Sequence, residues 1–237
     1  MATIKKKGYS GKDHQEQAIV SLMHKVSSAL LTYKKQITII VMVLVIGSAL
    51  AAGYALILAR QDREAAPLVA AAYEHYNASG TAGADPQKAL DAFRAVQKKY
   101  PGTKSGAIAQ YYVGNCLVSL GRADEAIKEY LRFIDQYASD KLLLSLVYQR
   151  LGYVYSMTGR QNEAIKAFEQ SEKSGGTGVA TLELARVYDA AGNVLESQKE
   201  YKKVLEHYAG TSWGNEAMNK VNSLGPAPLP AQTAPRK

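Results

Sequence analysis

The sequence predicts an all-α protein: a single N-terminal transmembrane helix, an α-solenoid of about four helical hairpins, and a C-terminal closing helix. The first observation is a near-duplication, in which GRADEAIKEY at residues 121–130 returns as GRQNEAIKAF at residues 159–168. The second is an uncharged run of 23 residues, residues 37–59. The third is composition: 47% of the residues are hydrophobic, and helix-forming types dominate over alternating strand patterns.

The net charge of +8 is concentrated at one end of the chain. Residues 1–36 hold seven lysines and two acidic residues, a net of +5. From residue 60 onward there are 22 basic and 19 acidic residues, a net of +3. A basic terminus is typical of a segment beside a membrane, whereas nucleic-acid-binding proteins carry their cations along a groove or helix face. The charge distribution therefore predicts no nucleic-acid partner.

Residues 1–36 form the predicted cytoplasmic segment. An amphipathic helix is predicted over residues 18–33, because apolar residues recur there every three or four positions. Two roles stay open for it. It would lie on lipid headgroups with Lys25 and Lys34 toward the phosphates, or it would dock on another membrane protein. The apolar positions are Ile19, Leu22, Met23, Val26, Leu30 and Tyr33.

Residues 37–59 form the predicted transmembrane helix. At 1.5 Å per residue the segment would be about 34 Å long, and a bilayer core is about 30 Å thick. The alternative is a cleaved signal peptide, since SALAAG contains small residues, but the apolar run continues beyond it as YALILA. The lysine-rich flank before the run and the balanced RQDRE after it place the N-terminus in the cytoplasm. The residues after Ala59 would then lie outside the cytoplasm, in a periplasm if the cell has one, making the chain a single-pass membrane protein.

The predicted span also carries small residues on one face. Gly47 and Ala51 lie four residues apart, as do Ala49 and Gly53. Small residues at this spacing let two membrane helices approach closely. A homo-oligomer held by this face is one expectation.

Residues 60–224 are predicted to form the hairpins, each with a recurring set of small and aromatic residues. A small residue in the first helix precedes a turn glycine by seven residues, and a second helix with an alanine and an aromatic residue follows. The small residues would let the two helices cross closely, and the ring would fill the gap between successive hairpins. A partial copy at residues 86–101 contains Ala89 and Phe93, and its first helix is expected at residues 61–77. The predicted packing positions are Gly114, Gly121, Ala126, Tyr130, Gly152, Gly159, Ala164, Phe168, Ala185, Gly192 and Tyr201.

A closing helix is predicted at residues 212–224, because an open stack of hairpins needs a cap at its end. Trp213, Ala217, Met218 and Val221 are expected to face inward. The proline-rich segment GPAPLPAQTAPRK, residues 225–237, is predicted to be a disordered tail.

The recurring positions resemble the tetratricopeptide repeat. The resemblance covers roughly residues 64–210, and four positions recur together in three copies. The spacing differs from the family's usual interval of about 34 residues: successive alanine positions lie 37, 38 and 33 residues apart. The resemblance implies a stack of helical hairpins whose first helices line a concave groove for extended peptides or partner helices.

No catalytic motif accompanies the repeats. The four histidines, His14, His24, His75 and His207, do not have metal-ligand spacing, and the chain contains no phosphate-binding loop or nucleophile elbow. The single cysteine, Cys116, excludes an intrachain disulfide and lies among apolar residues typical of a core. The sequence therefore predicts a non-enzymatic protein with no cofactor and no metal.

The family's groove positions can be carried over onto this sequence. The residues expected to line the groove are Tyr111, Asn115, Gln149, Tyr153, Ser156, Arg186 and Asp189. Aromatic rings among amide and charged groups suit peptide recognition. The lysine and asparagine set by which some such repeats bind a C-terminal carboxylate is not reproduced here.

The whole architecture resembles the inner-membrane ancillary subunit of the bacterial Sec translocon. That resemblance implies a membrane-anchored protein-binding scaffold whose partners are translocon components, periplasmic chaperones or envelope proteins. A second, local resemblance covers residues 99–130 and is to periplasmic cell-division coordinators and outer-membrane assembly lipoproteins. The alternative function is a structural subunit of a division, outer-membrane assembly or secretion complex, held by helix–helix contacts.

Overall fold

The computed structural model describes residues 20–21, 23, 32–77, 83–176 and 178–225, which are helical with short connections and contain no strand. The predicted all-α class is confirmed. Contacts within the chain divide it into two units, residues 1–57 and 58–237. The predicted amphipathic helix lies largely outside the described residues, although Val20, Ser21 and Met23 are helical. His14, His24 and residues 226–237 also lie outside them.

Helix α1, Lys34–Asn77, contains the predicted transmembrane segment. It is the one helix among the described residues that is long and apolar enough to cross a membrane. Its large apolar side chains are exposed, from Ile39 at 58% to Leu56 at 73%. The predicted span and the predicted first repeat helix are parts of this one helix, and Pro67 lies inside it.

Four hairpins can be recognised from the helix boundaries in residues 58–225. The end of α1 leads into α2 (Pro86–Lys99), with the Asp85 N–H donating to the His75 carbonyl at 3.0 Å, and α3 (Lys104–Ser119) packs against α4 (Ala123–Gln136). The third pair is α5 (Lys141–Met157) with α6 (Gln161–Lys173), and the fourth is α7 (Val179–Ala190) with α8 (Val194–Tyr208). The closing helix α9, Ser212–Leu224, has the predicted bounds.

Short polar side chains fix where several helices begin. Asp85, Thr103, Asp140 and Thr211 each accept a hydrogen bond from the backbone N–H three residues later, at 2.9–3.2 Å. These bonds satisfy N–H groups that have no partner within the helix. In α3 the Asp62 carboxylate of α1 also accepts from the Ser105 N–H at 2.7 Å, so the first hairpin caps the second.

The first and second helices of three hairpins are joined by the same glycine turn. Gly121, Gly159 and Gly192 have φ of +73°, +75° and +74°. The N–H of the following residue donates to the carbonyl five residues earlier, at 2.8–2.9 Å in each turn. This arrangement satisfies carbonyls at the helix end and requires a left-handed residue, which explains the recurring glycine.

Helix α9 starts in the same way as α3. YPGTKSG at residues 100–106 and YAGTSWG at residues 208–214 share Tyr-x-Gly-Thr-x-x-Gly, and each threonine caps the last glycine. The closing helix therefore occupies the place of another first helix. The expected inward orientation is correct for Ala217, which is fully buried, and wrong for Met218, which is 50% exposed. Trp213 is 36% exposed, and its ring packs against Tyr208 with the ring centroids 5.6 Å apart.

Candidate protein-binding groove

The first helices of the second, third and fourth hairpins lie side by side. Helix α5 contacts α3 and α7, whereas the second helices α4, α6 and α8 make no comparable contacts with one another. Elements on the inner side of a curved stack lie closer together than those on the outer side. The first helices therefore form the inner surface of the repeats.

Gly114 in the second hairpin and Gly152 in the third allow the two helices of each of these hairpins to pack closely. A Cβ added to Gly114 would lie 2.3 Å from Cε1 of Tyr130, and one added to Gly152 would lie 2.9 Å from the ring of Phe168. Each ring lies directly over the glycine of its own hairpin, and the prediction that it fills the space between successive hairpins is wrong. Ala126, Ala164 and Ala185 are fully buried, as are Tyr130, Phe168 and Tyr201.

Tyr111 and Asn115 do not line an open groove. Their exposures are 8% and 5%, and the Asn115 side-chain oxygen accepts a hydrogen bond of 2.6 Å from the Tyr130 hydroxyl. The expectation that these two residues would meet a ligand is therefore wrong. Their polar groups are partnered inside the protein because α4 packs close enough to α3 for its tyrosine to reach across.

An open cleft of about 420 Å³ lies between the third and fourth hairpins. Of the predicted groove residues, Gln149 and Tyr153 line it, and Tyr153 is 45% exposed. Ser156 is half-buried further along the same helix. The remaining lining residues, which are not among the predicted groove positions, are Arg150, Phe168, Val179 and Glu183.

A group of aromatic rings lies beside this surface, on the first and second hairpins. Tyr112 is its centre, with its ring centroid 5.0 Å from Phe93 in a stacked arrangement and 5.2 Å from Tyr73 and Tyr76 in edge contacts. The Tyr111 ring lies 5.1 Å from Tyr112. Aromatic contacts of this kind stiffen a surface without much loss of side-chain entropy. Burial raises the pKa of Tyr112 to about 12, so its hydroxyl is neutral at physiological pH.

The charged groove positions of α7 are paired with the closing helix. Arg186 donates to both Glu216 carboxylate oxygens at 2.5 and 2.7 Å, and to Glu183 at 2.6 Å. Lys220 forms an ion pair of 2.6 Å with Asp189. Arg186 and Asp189 therefore attach α9 to α7, and their charges are already balanced within the fold.

The described residues offer no arrangement typical of catalysis. They contain no group of three or more histidine, cysteine or acidic side chains that could hold a metal ion. Burial raises the pKa of the Cys116 thiol to about 12, which leaves it in its unreactive form. His75 and His207 are exposed on helix surfaces. What the repeats do provide is a surface, with an open cleft and a rigid aromatic flank.

Comparison with protein families identifies the repeats. Two family models for the tetratricopeptide repeat match the chain, one over residues 70–103 and one over residues 107–174. The fourth hairpin and the closing helix lie beyond the matched segments. A comparison with curated proteins found no match.

Several solved structures share the fold at low sequence identity. A tetratricopeptide repeat protein from Parabacteroides merdae has a TM-score of 0.57 and 13% identity, over 68% of this chain and 60% of that one. PilW, a type IV pilus biogenesis factor, has a TM-score of 0.55 and 13% identity, over 65% of this chain and 67% of that one. BtubC (BKLC) from P. vanneervenii has a TM-score of 0.53 and 12% identity, over 70% of this chain and 82% of that one.

The fold and the groove define a class of protein: a helical-repeat scaffold for protein–protein interaction. Within that class, residues 70–103 and 107–174 match the tetratricopeptide repeat. The resemblance predicted from the sequence is therefore confirmed at the level of the repeat.

Proposed function

We propose that the chain is a membrane-anchored scaffold that binds proteins in the bacterial periplasm through its repeats. The observation that carries the proposal is the cleft between the third and fourth hairpins, where Tyr153 is 45% exposed on the inner surface. A large aromatic side chain left open beside amide and charged groups offers contact area and hydrogen bonds together. A packed core would have buried the ring.

The anchor is the apolar part of α1. None of the side chains in its most hydrophobic stretch is buried within the protein, unlike those of a core helix in a soluble domain. Exposed side chains such as Leu44 and Leu50, at 66% and 70%, would be costly in water and favourable in lipid. The lysines before this stretch support a cytoplasmic N-terminus, with the repeats on the opposite side.

The site of action that we propose is the region of protein translocation. The support is the resemblance of the whole architecture to the ancillary subunit of the Sec translocon. The partners would be translocon components, periplasmic chaperones or newly exported envelope proteins. An anchored scaffold raises the local concentration of such partners at the membrane without catalysing a reaction.

The experiment is affinity purification of the full chain from mild detergent, comparing wild type with Tyr153→Ser. The substitution removes the exposed ring from the cleft, so co-purifying proteins should fall to a tenth or less of their wild-type amount, which corresponds to about 1.4 kcal/mol. Leu131→Ser is the matched control, because Leu131 is 47% exposed on the second helix α4. Equal recovery with Tyr153→Ser and wild type would contradict binding through the cleft.

A second candidate function is a structural subunit held by helix–helix contacts in the membrane. It is favoured by the small residues of the apolar stretch, since Gly47 and Ala51 lie four residues apart, as do Ala49 and Gly53. Replacing residues 37–59 with an unrelated transmembrane helix separates the two functions. The scaffold would keep its partners after this exchange, whereas the structural subunit would lose them.

A further inference from the structure

The groove contains one arginine whose charge is not balanced within the described residues. The Arg150 guanidinium makes a single hydrogen bond there, from Nε to the Tyr111 hydroxyl at 3.4 Å, and no ion pair. A guanidinium has five N–H donors. Most of the donor capacity of Arg150 is therefore available in a cleft that it lines together with Gln149 and Tyr153.

The surroundings of Arg150 leave its charge open to a partner. Arg150 is exposed on α5, and the Tyr111 hydroxyl that its Nε contacts is an uncharged group. A hydroxyl does not neutralise a cation, so the guanidinium has no charged partner among the described residues. A carboxylate that binds in the cleft would exclude water from around the guanidinium, which strengthens the attraction between the two groups.

The other groove charges differ from Arg150 in this respect. Glu183 lines the same cleft, but its carboxylate accepts from Arg186 at 2.6 Å. Lys220 and Asp189 form an ion pair of 2.6 Å with each other. Among the described groove residues, the positive charge of Arg150 is the one left for a partner.

Resting on the proposed scaffold function, we infer that Arg150 binds an aspartate or glutamate side chain within an extended segment of the partner protein. A carboxylate would take two parallel hydrogen bonds from the guanidinium fork, and Gln149 and Tyr153 would flank the segment. A polyanion such as nucleic acid fits less well, since Glu183 lies in the same cleft. The Asn115 side chain is not available to a free C-terminal carboxylate, because it is buried and accepts a hydrogen bond from Tyr130.

The test is selection of binding peptides by the full chain in detergent, from two displayed libraries of random peptides. One library presents internal segments flanked by linkers, and the other presents free C-termini. The internal library should yield binders with an acidic residue at one fixed position. Exchanging that residue for its amide in a selected peptide should weaken binding about ten- to a hundredfold, because a charge-assisted hydrogen-bonded pair is lost.

Variants of the protein then assign the effect to Arg150. Arg150→Met should weaken binding of the acidic peptide by the same factor. The acidic peptide and its amide form should then bind with equal affinity. Arg150→Lys, which keeps the charge without the planar fork, should give an intermediate affinity. Arg132→Met is the control, since Arg132 is already paired with Glu129 at 3.0 Å on the second helix α4; it should change nothing.

Three outcomes would overturn the inference. Selected peptides with no acidic residue at a fixed position would contradict the role of Arg150 but would be consistent with the scaffold function. Binders from the free C-terminal library alone would assign the site to a chain-terminal carboxylate instead of a side chain. Absence of binders from both libraries would contradict the scaffold function as well. The acid-to-amide exchange uses the wild-type protein, so the result does not depend on whether Arg150→Met folds.

Discussion

Gly114 and Gly152 set how closely the two helices of a hairpin approach. In each hairpin a buried ring from the second helix occupies the space where a side chain would be, with Tyr130 over Gly114 and Phe168 over Gly152. The two sites differ in tightness, because the nearest ring atoms would lie 2.3 Å from a Cβ at Gly114 and 2.9 Å from one at Gly152. The ring over Gly114 is also fixed by its hydroxyl, which donates to Asn115.

Gly114→Ala should destabilise the protein even though alanine favours helices. Alanine in a helix interior gains about 0.5–1 kcal/mol over glycine, while overpacking a core costs about 1–3 kcal/mol. We expect the clash to dominate at Gly114 and lower the unfolding temperature by several degrees. Gly152→Ala should have a smaller effect, since its contacts are longer. Thermal unfolding measures both changes, and an increase in stability for Gly114→Ala would show that the ring is free to move.

The fourth hairpin has different residues at the glycine and alanine positions of the repeat. Ala185 takes the glycine position and Ser197 the alanine position, and both are fully buried. Among the described residues, the Ser197 and Tyr201 hydroxyls have no hydrogen-bond partner. Tyr130 of the second hairpin, by contrast, is partnered by Asn115. The fourth hairpin therefore leaves its tyrosine hydroxyl without the partner that the equivalent tyrosine has in the second hairpin, and it lies outside the segments matched by the family models.

At the scale of a helix, α9 is attached to the stack through charge. Arg186 and Glu216 share two hydrogen bonds, and Lys220 pairs with Asp189. The Arg186 guanidinium holds the pKa of the Glu216 carboxyl below its ordinary value of 4.5. A carboxyl whose folded pKa is lowered adds stability above its ordinary pKa, and that stability is lost as pH falls through the folded pKa.

Glu216→Gln should therefore destabilise the protein at pH 7, by about 0.5–1 kcal/mol for a partly exposed ion pair. The difference between variant and wild type should shrink as pH falls below 4.5, where the wild-type carboxyl takes up its proton. Thermal unfolding at both pH values measures it. Glu206→Gln is the control, because Glu206 is exposed on α8 with no ion pair among the described residues. An unchanged difference at low pH would contradict the pairing.

The sequence predicts where the helices begin and end, but it does not predict which charged side chains pair with one another. Local rules placed α9 at residues 212–224 and the turn glycines at the helix ends, because caps and glycine turns depend on adjacent residues. Whether a groove charge is neutralised depends on residues far apart in the chain, such as Arg186 and Glu216. The sequence therefore indicated Arg186 as a ligand contact and missed Arg150. The Asn115 prediction failed for the same reason, since its partner is on another helix.

At the scale of the whole chain, the account depends on where the repeats lie relative to the membrane. The apolar part of α1 is long enough to span a bilayer, and the basic residues lie before it. The repeats carry a net charge of only +3 from residue 60 onward, so little charge opposes their transfer across the membrane. The proposed partners are accessible to the groove only if the repeats are outside the cytoplasm.

The most direct test is the activity of alkaline phosphatase fused after Leu224, since that enzyme needs disulfides that form outside the cytoplasm. The same enzyme fused after Lys35, before the span, is the matched control. We expect high activity in intact bacterial cells from the first fusion, low activity from the second, and recovery of the first in the membrane fraction. Activity confined to the Lys35 fusion, or none from the Leu224 fusion at equal expression, would contradict a membrane-anchored periplasmic scaffold.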